Sequence, residues 1–205
     1  MWCVSTKMGK RNEAALRNRG AQRETRVRRL PSACMPLALL LFFNAAIPCA
    51  TLAEEVAIGK PKDLHGLRIG AVYSEPIAMD EYWGGPSPDQ ADIHLEADIH
   101  ALKGNRYGFR EGEWIPYLTI NYTLELLGTG KKLNGQLWQM MAKDGPHYGL
   151  NLKLMEAGRY RLTYLIGSPQ EWGLARHTDR ETGVDSWWEP FKVEWTFHYP
   201  TKRIR

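Results

Sequence analysis

The sequence predicts an all-β protein, an immunoglobulin-like antiparallel β-sandwich that follows an N-terminal signal segment. Three observations lead to this prediction. Apolar and polar residues alternate with a period of two in several short runs, as in strands with one buried face. Turn-forming residues separate these runs, and no stretch after the signal segment has the period of an amphipathic helix. Short strands with frequent turns are typical of a two-sheet sandwich.

Residues 1–53 have the composition of an export signal. Nine Lys and Arg residues precede an apolar run at 35–47, which is shorter than a typical transmembrane helix. The small residues of "ATLAEE" at 50–55 then allow cleavage, most simply after Ala53. An uncleaved membrane anchor, twin-arginine export and a lipoprotein at Cys49 are the alternatives. We therefore predict an exported chain whose residues 54–205 form a single metal-binding β-sandwich domain.

The uneven distribution of charge argues against a nucleic-acid-binding protein. The whole chain has a formal net charge of +4. The signal segment holds nine of the 27 Lys and Arg residues but two of the 23 acidic residues, which leaves residues 54–205 with a net charge of −3. The basic excess belongs to the signal, so the domain lacks the positive surface that phosphate binding requires.

The distribution of cysteine and histidine limits the chemistry of the domain. The three cysteines (Cys3, Cys34 and Cys49) lie in the signal segment, whereas the six histidines lie in the domain. The exported domain therefore has neither disulfides nor thiolate ligands, and a metal site must use His, carboxylate or Met side chains. A bacterial periplasm is the compartment that fits best.

Five runs predict strands in chain order, at 67–73, 91–102, 114–127, 160–166 and 191–199. In each run, alternate positions carry the large apolar side chains, such as Tyr160, Leu162, Tyr164 and Ile166 in "YRLTYLI". Turn signals lie between the runs, including "GGPSP" at 84–88, "GTGKK" at 128–132 and "GSP" at 167–169.

The second run contains "ADIHLEADIH", residues 91–100, in which every ionisable residue has an even number. On a strand, these side chains point away from the core, and residues two apart lie about 7 Å apart at their Cα atoms. His94 and Glu96 can therefore converge on one metal ion. The alternative is the solvated polar face of an edge strand. Asp92, Asp98 and His100 are interpreted as surface or supporting groups.

A second candidate stretch is "WQMMAKDGPHYG", residues 138–149. Gly145-Pro146 predicts a turn just before His147, and Met140, seven residues earlier, can meet His147 across that turn. Alternatively, one of Met140 and Met141 faces the core and His147 is a hydrogen-bonded loop residue.

The third candidate is His177, in a polar loop with no potential partner ligand close in sequence. No nucleophile elbow, phosphate-binding loop, dinucleotide fingerprint or thiol site is present in the sequence, so an enzyme is not predicted. Trp187 and Trp188 could stack on a sugar, which keeps a carbohydrate- or protein-binding sandwich without metal as an alternative.

Together these stretches resemble the periplasmic high-affinity iron-transport family, the FetP-type proteins that accompany an iron permease. The resemblance covers about residues 56–199 and includes "ADIHLEADIH", "GEWIPYLTINY", "MMAKDGPHYG", "GRYRLTY" and "RHTDRETGV". It implies a homodimer with metal sites near the subunit interface, and one histidine, at the position of His177, supplied by the partner subunit. The metal ligands that it implies are His94, Glu96, Met140, His147 and His177. The sequence departs from the family's Met-Pro-Met pattern at Trp138 and Gln139.

The resemblance implies binding of iron, copper or both, and manganese or zinc could substitute. Imidazoles suit copper, iron, nickel and zinc, a thioether favours copper, and a carboxylate suits iron or manganese. We therefore predict a periplasmic metal-binding protein for high-affinity iron uptake that works with an inner-membrane iron permease and is not an enzyme. The alternatives are a periplasmic copper-binding protein or chaperone and a copper-assisted iron-oxidising protein.

Overall fold

The computed structural model describes residues 54–80 and 84–200. The predicted export signal, with its cleavage site after Ala53, lies outside the described residues. In the part of the chain that is described, no helix has the length and apolar character needed to cross a membrane. The predicted boundaries of the domain, residues 54–205, stay a prediction.

The described fold is built almost entirely from antiparallel strands, as the alternating runs predict. The strands are β1 (Val56–Ala57), β2 (Lys62–Leu64), β3 (Leu67–Ser74), β4 (Ile93–Ala101), β5 (Ile120–Leu126), β6 (Lys132–Ala142), β7 (Gly145–Leu152), β8 (Gly158–Ile166) and β9 (Phe191–Tyr199). A single turn of 3-10 helix at Pro169–Trp172 follows β8.

The strands form one sheet in the order β1-β3-β4-β7-β6-β5-β8-β9, with β2 also paired to β3. The long strand β6 joins the two halves, because its residues 138–142 pair with β7 and its residues 132–137 pair with β5. The sheet curls so that its halves face each other: the Tyr164 hydroxyl on β8 donates to the backbone carbonyl of Glu96 on β4 at 3.0 Å. The all-β, antiparallel prediction is confirmed, and the immunoglobulin-like topology stays a prediction.

The core lies between the two halves and is filled by alternate side chains of the strands. On β8, Tyr160, Leu162, Tyr164 and Ile166 are all 0% exposed, as the sequence pattern predicts. On β4, the buried apolar set is Ile93, Leu95, Ala97, Ile99 and Ala101. The ionisable residues of β4 therefore lie on the opposite side of the sheet. We call this side the outer face of the first half-sheet, which consists of β1, β2, β3, β4, β7 and residues 138–142 of β6.

Two local predictions differ from the structure. The strand predicted at 114–127 has regular pairing only from Ile120, because Tyr117 has a φ of 62°, a left-handed conformation that interrupts a strand. The turn before His147 lies at residues 143–144, two residues earlier than predicted. Gly145 and Pro146 already belong to β7, where they pair with Ala142 and Met141 of β6.

Candidate metal centre

The strand register brings four of the five predicted ligands to the outer face of the first half-sheet. His94 and Glu96 on β4 are opposite Asn151 and Gly149 on β7. On the other side of β7, Met140 on β6 is the direct partner of His147. Since cross-strand partners and residues two apart share a face, Met140 and His147 lie on the same face as His94 and Glu96.

Three of these side chains form a compact buried cluster. His94, Glu96 and His147 each offer one ligand atom, and these atoms all lie within 4.8 Å of one another. The three residues are 0%, 7% and 7% exposed. The alternative of a solvated polar face of an edge strand is therefore wrong, because β4 is an inner strand between β3 and β7 and its residues His94 and Glu96 are buried. That these residues bind a metal stays a prediction.

The environment of His94 favours a neutral imidazole. Its Nδ1 lies 3.0 Å from Asn151 Oδ1, and burial lowers its pKa from 6.5 to about 4, opposed by the Asn151 hydrogen bond and assisted by the charge of His147. The Nε2 atoms of His94 and His147 are both buried and have no hydrogen-bond partner among the described residues. A buried polar nitrogen without a partner is costly, so two in one cluster fit a site that a metal ion completes.

A glycine on the neighbouring strand makes room for the His94 ring. A Cβ atom at Gly149 would lie 2.8 Å from His94 Cε1 and closer still to Nε2. These separations are well inside van der Waals contact, so any larger residue at position 149 displaces the imidazole.

The Glu96 carboxyl is held in an environment that favours its protonated form. Burial raises its pKa to about 7, and the negative charge of Glu55 adds to this, while a hydrogen bond from the Ser74 hydroxyl to Glu96 Oε1 at 3.1 Å opposes it. A metal cation at the cluster would pair with the negative charge of the Glu96 carboxylate and so favour its ionised form. Metal binding would therefore release the carboxyl proton near neutral pH.

Acidic residues from three parts of the chain surround the opening of the cluster. Two adjoining cavities of about 190 and 230 Å³ share Glu55, Glu96, Asp144 and His147 as lining residues. Asp98 lines the second cavity, and burial together with Asp144 raises its pKa, although His147 and His100 oppose this. A cavity lined by carboxylates attracts cations. Glu55 and Asp144 were not among the predicted site residues.

The remaining candidate residues do not belong to the cluster of His94, Glu96 and His147. His177 lies outside the cluster, in the loop before β9, with a side chain 75% exposed and its Nδ1 2.8 Å from Thr182 Oγ1.

Asp92 has a structural role, because it accepts a hydrogen bond from the Leu154 backbone and pairs with Lys153. Trp188 is 6% exposed and packs edge-on against Tyr107 at 4.8 Å, so it does not present a face for sugar stacking.

Met140 is half-buried on the outer face, whereas its neighbour Met141 is 77% exposed. The expectation that one of the two methionines faces the core is wrong, because neither belongs to the core cluster. The thioether of Met140 is thus available on the same face as the two unpartnered imidazole nitrogens.

The fold and the donor set define a class of protein: an antiparallel β-protein with a buried cluster of potential metal ligands on one sheet face. The model of one protein family, described as Fe2+ transport protein, matches residues 52–201. The chain belongs to this family.

Relatives of known sequence and structure agree with this assignment. The chain is 44% identical over 166 residues to a UPF0423 protein of Brucella abortus, with 79% of this chain and 91% of that protein covered. It is 38% identical over 147 residues to the 34 kDa membrane antigen of Treponema pallidum, with 69% and 72% covered.

Two similar solved structures contain copper. One is a copper-bound glutamate-to-glutamine variant of FetP from uropathogenic Escherichia coli, with 49% identity, a TM-score of 0.70, and 72% of this chain and 98% of that chain covered. The other is the copper-reconstituted P19 protein from Campylobacter jejuni, with 49% identity, a TM-score of 0.70, and 72% and 97% covered.

Proposed function

We propose that this chain is a periplasmic metal-binding protein for high-affinity iron uptake, which binds iron and copper and passes iron to an inner-membrane permease. The observation that carries the proposal is the buried cluster of His94, Glu96 and His147, with two imidazole nitrogens that lack hydrogen-bond partners. Membership of the Fe2+ transport protein family supports iron as the cargo.

The donor set supports more than one metal. Two imidazoles, a carboxylate and the thioether of Met140 suit both iron(II) and copper, and affinity for divalent ions follows the Irving–Williams order, which ranks copper(II) above iron(II). The copper in the FetP and P19 structures is consistent with this order. Manganese and zinc should bind more weakly than copper at the same ligands.

A second candidate function is copper binding for its own sake, as a copper chaperone or in copper-assisted oxidation of iron. The position of Met140 directly opposite His147 favours this candidate, since a thioether is a soft ligand that stabilises copper(I).

We also propose that the protein is a homodimer in which His177 completes the site of the partner subunit. His177 is exposed and separate from the cluster of its own chain. Beside β6, a cavity of about 250 Å³ is lined by Tyr117, Trp138 and Trp172, and the side chains of Tyr117 and Trp172 are exposed apolar groups. Such an apolar surface suits a subunit interface.

Periplasmic location is supported by the signal-like residues 1–53. One of the similar structures, FetP of uropathogenic Escherichia coli, comes from protein expressed recombinantly in the periplasm.

The test is growth under iron limitation of a host strain that lacks this protein and is complemented with variants. Wild type and His198→Ala, which changes an exposed histidine of β9, should restore growth, whereas His94→Ala should not. Equal growth with His94→Ala would contradict an iron-uptake function of the site. Rescue of copper tolerance instead of iron-limited growth would favour the copper alternative.

A further inference from the structure

Asn151 on β7 connects the metal cluster to the segment that joins β3 and β4. It is 0% exposed, and its Oδ1 lies 3.0 Å from His94 Nδ1. On its other side, the same amide contacts backbone groups of Ile77 and Pro86. Every polar atom of this side chain is therefore engaged, which is expected for a buried amide.

The backbone of Ile77 fixes which way the Asn151 amide points. The Ile77 N–H donates to Asn151 Oδ1 at 3.2 Å, and Asn151 Nδ2 donates to the Ile77 carbonyl at 2.8 Å and to the Pro86 carbonyl at 3.4 Å. A backbone N–H can only donate and a carbonyl can only accept. A flipped amide would place donor against donor and acceptor against acceptor, so only one orientation satisfies these three contacts.

This orientation of the Asn151 amide in turn determines which ring nitrogen of His94 carries the hydrogen. Because Oδ1 can only accept, the imidazole Nδ1 that faces it must carry the hydrogen, and Nε2 is left with a free lone pair. That Nε2 atom is buried without a partner above Gly149, and it belongs to a residue of the cluster with Glu96 and His147.

We infer that Asn151 is a positioning residue: it selects the Nδ1–H tautomer of His94 and so directs the Nε2 lone pair to the metal cluster. The effect on metal affinity rests on the proposed function, but the tautomer is a property of the metal-free protein. Contacts of this kind, in which the second nitrogen of a ligating histidine has a fixed partner, tune metal affinity by roughly 10–100-fold.

The choice of Asn over Asp at this position follows from the same contacts. A carboxylate at 151 could still accept from His94 and from the Ile77 N–H, but it would face the carbonyls of Ile77 and Pro86 without a hydrogen to donate. The amide satisfies both sides at once, so the joining segment and the imidazole are held by one side chain.

The experiment is nitrogen-15 NMR of histidine-labelled, metal-free protein, combined with copper(II) titration. In the wild type, His94 should show a protonated Nδ1 and a bare Nε2. Asn151→Leu, which has no acceptor, should lose this tautomer and bind copper(II) about 10–100-fold more weakly. Asn151→Asp keeps the acceptor and should retain both the tautomer and an affinity close to that of the wild type, even if it unfolds at a lower temperature.

The matched control is Asn105→Asp. Asn105 also fixes a loop, because its Nδ2 donates to the carbonyls of Leu102 and Phe109, but it has no contact with the cluster. This variant should lose stability without a change in the His94 signals or in copper affinity.

Two results would overturn the inference: an unchanged His94 tautomer in Asn151→Leu, or an equal loss of affinity in Asn151→Asp and Asn151→Leu. The second result would mean that Asn151 only braces the joining segment. If the wild type has the expected tautomer but binds no metal, the proposed function fails and the role of Asn151 in positioning His94 stands.

Discussion

At the scale of single residues, the site depends on small neighbours as much as on the donor atoms. His94 can enter the space above β7 only because Gly149 has no side chain. The imidazole is buried at 0% exposure, and burial keeps it neutral to well below neutral pH, because its pKa is lowered to about 4. The nitrogen is therefore ready to bind a metal ion without first losing a proton.

We predict that Gly149→Ala displaces His94 and weakens copper(II) binding on the order of 10–100-fold. The added methyl group would lie 2.8 Å from His94 Cε1, so the ring must move, and stability should fall by about 1–3 kcal/mol. Copper titration and thermal unfolding measure the two effects.

The matched control for this prediction is Gly70→Ala on β3, opposite Asp98. Its added Cβ would meet Asp98 Cβ at 3.6 Å, an ordinary contact, so copper affinity should be unchanged. Equal affinity of Gly149→Ala and the wild type would show that His94 Nε2 is not a ligand.

The pH dependence of metal binding should come from Glu96 rather than from His94. A carboxyl with a pKa raised to about 7 is protonated below that pH, and a metal must displace the proton, so affinity should fall about tenfold per pH unit from pH 7 to 5. His94 contributes little over this range, because its pKa is about 4. Calorimetric titration in buffers of different ionisation enthalpy measures the proton release.

The variant Glu96→Gln separates the contribution of Glu96 to the pH dependence of metal affinity from that of other groups. It has no proton to displace at this position, so the slope between pH 7 and 5 should become shallower while the affinity at pH 8 falls. If metal affinity in Glu96→Gln kept the wild-type dependence on pH, the proton released on metal binding would come from another group.

At the scale of strands, the β6–β7 hairpin sets the geometry of the second pair of candidate ligands. The two-residue turn at 143–144 fixes the register in which Met140 faces His147 directly. A shift of one residue in one of the two strands would turn its side chain to the other face of the sheet, so that Met140 and His147 would no longer share a face. The hairpin also places Asp144 at the opening of the cluster.

We predict that Met140→Leu lowers copper(I) affinity on the order of tenfold, because a soft ligand is lost. Stability should change by about 1 kcal/mol or less, since Leu has nearly the same volume and Met140 is half-buried. Competition with a chromogenic copper(I) chelator gives the affinity. The control Met141→Leu changes a side chain that is 77% exposed and should have no effect; a loss equal to that of Met140→Leu would contradict the assignment.

The alternation in "ADIHLEADIH" was sufficient to predict which side chains of β4 share a face. It could not predict that β4 is an inner strand, because β3 and β7 are its neighbours through pairings that are distant in sequence. For this reason the burial of Glu96, and the rise in its pKa that burial causes, could not be predicted.

At the scale of the whole molecule, the curled sheet gathers site residues from separate parts of the sequence. The motifs identified His94, Glu96, Met140 and His147, because each lies in a short recognisable stretch. Glu55 and Asn151 were missed, since neither lies in a pattern that indicates metal binding. The only available signal for Asn151 was its spacing of four residues from His147, which puts both on one face of β7.

The dimer proposal predicts complementation between two defective subunits. If each site combines His147 of one subunit with His177 of the partner subunit, neither His147→Ala nor His177→Ala alone forms an intact site. Mixed dimers of the two variants would contain one intact site and should recover tight copper binding in one site per dimer. No recovery in purified mixed dimers would contradict a contribution of His177 across the interface.

The most direct test of the central claim is a titration of the purified protein with copper(II) and iron(II), for wild type, His94→Ala and His198→Ala. We predict saturable binding by the wild type, with copper(II) tighter than iron(II). Loss of the His94 ligand should weaken binding by at least about 100-fold, whereas His198→Ala should match the wild type. Binding by His94→Ala as tight as that of the wild type, or no saturable binding at all, would contradict a metal centre on this face.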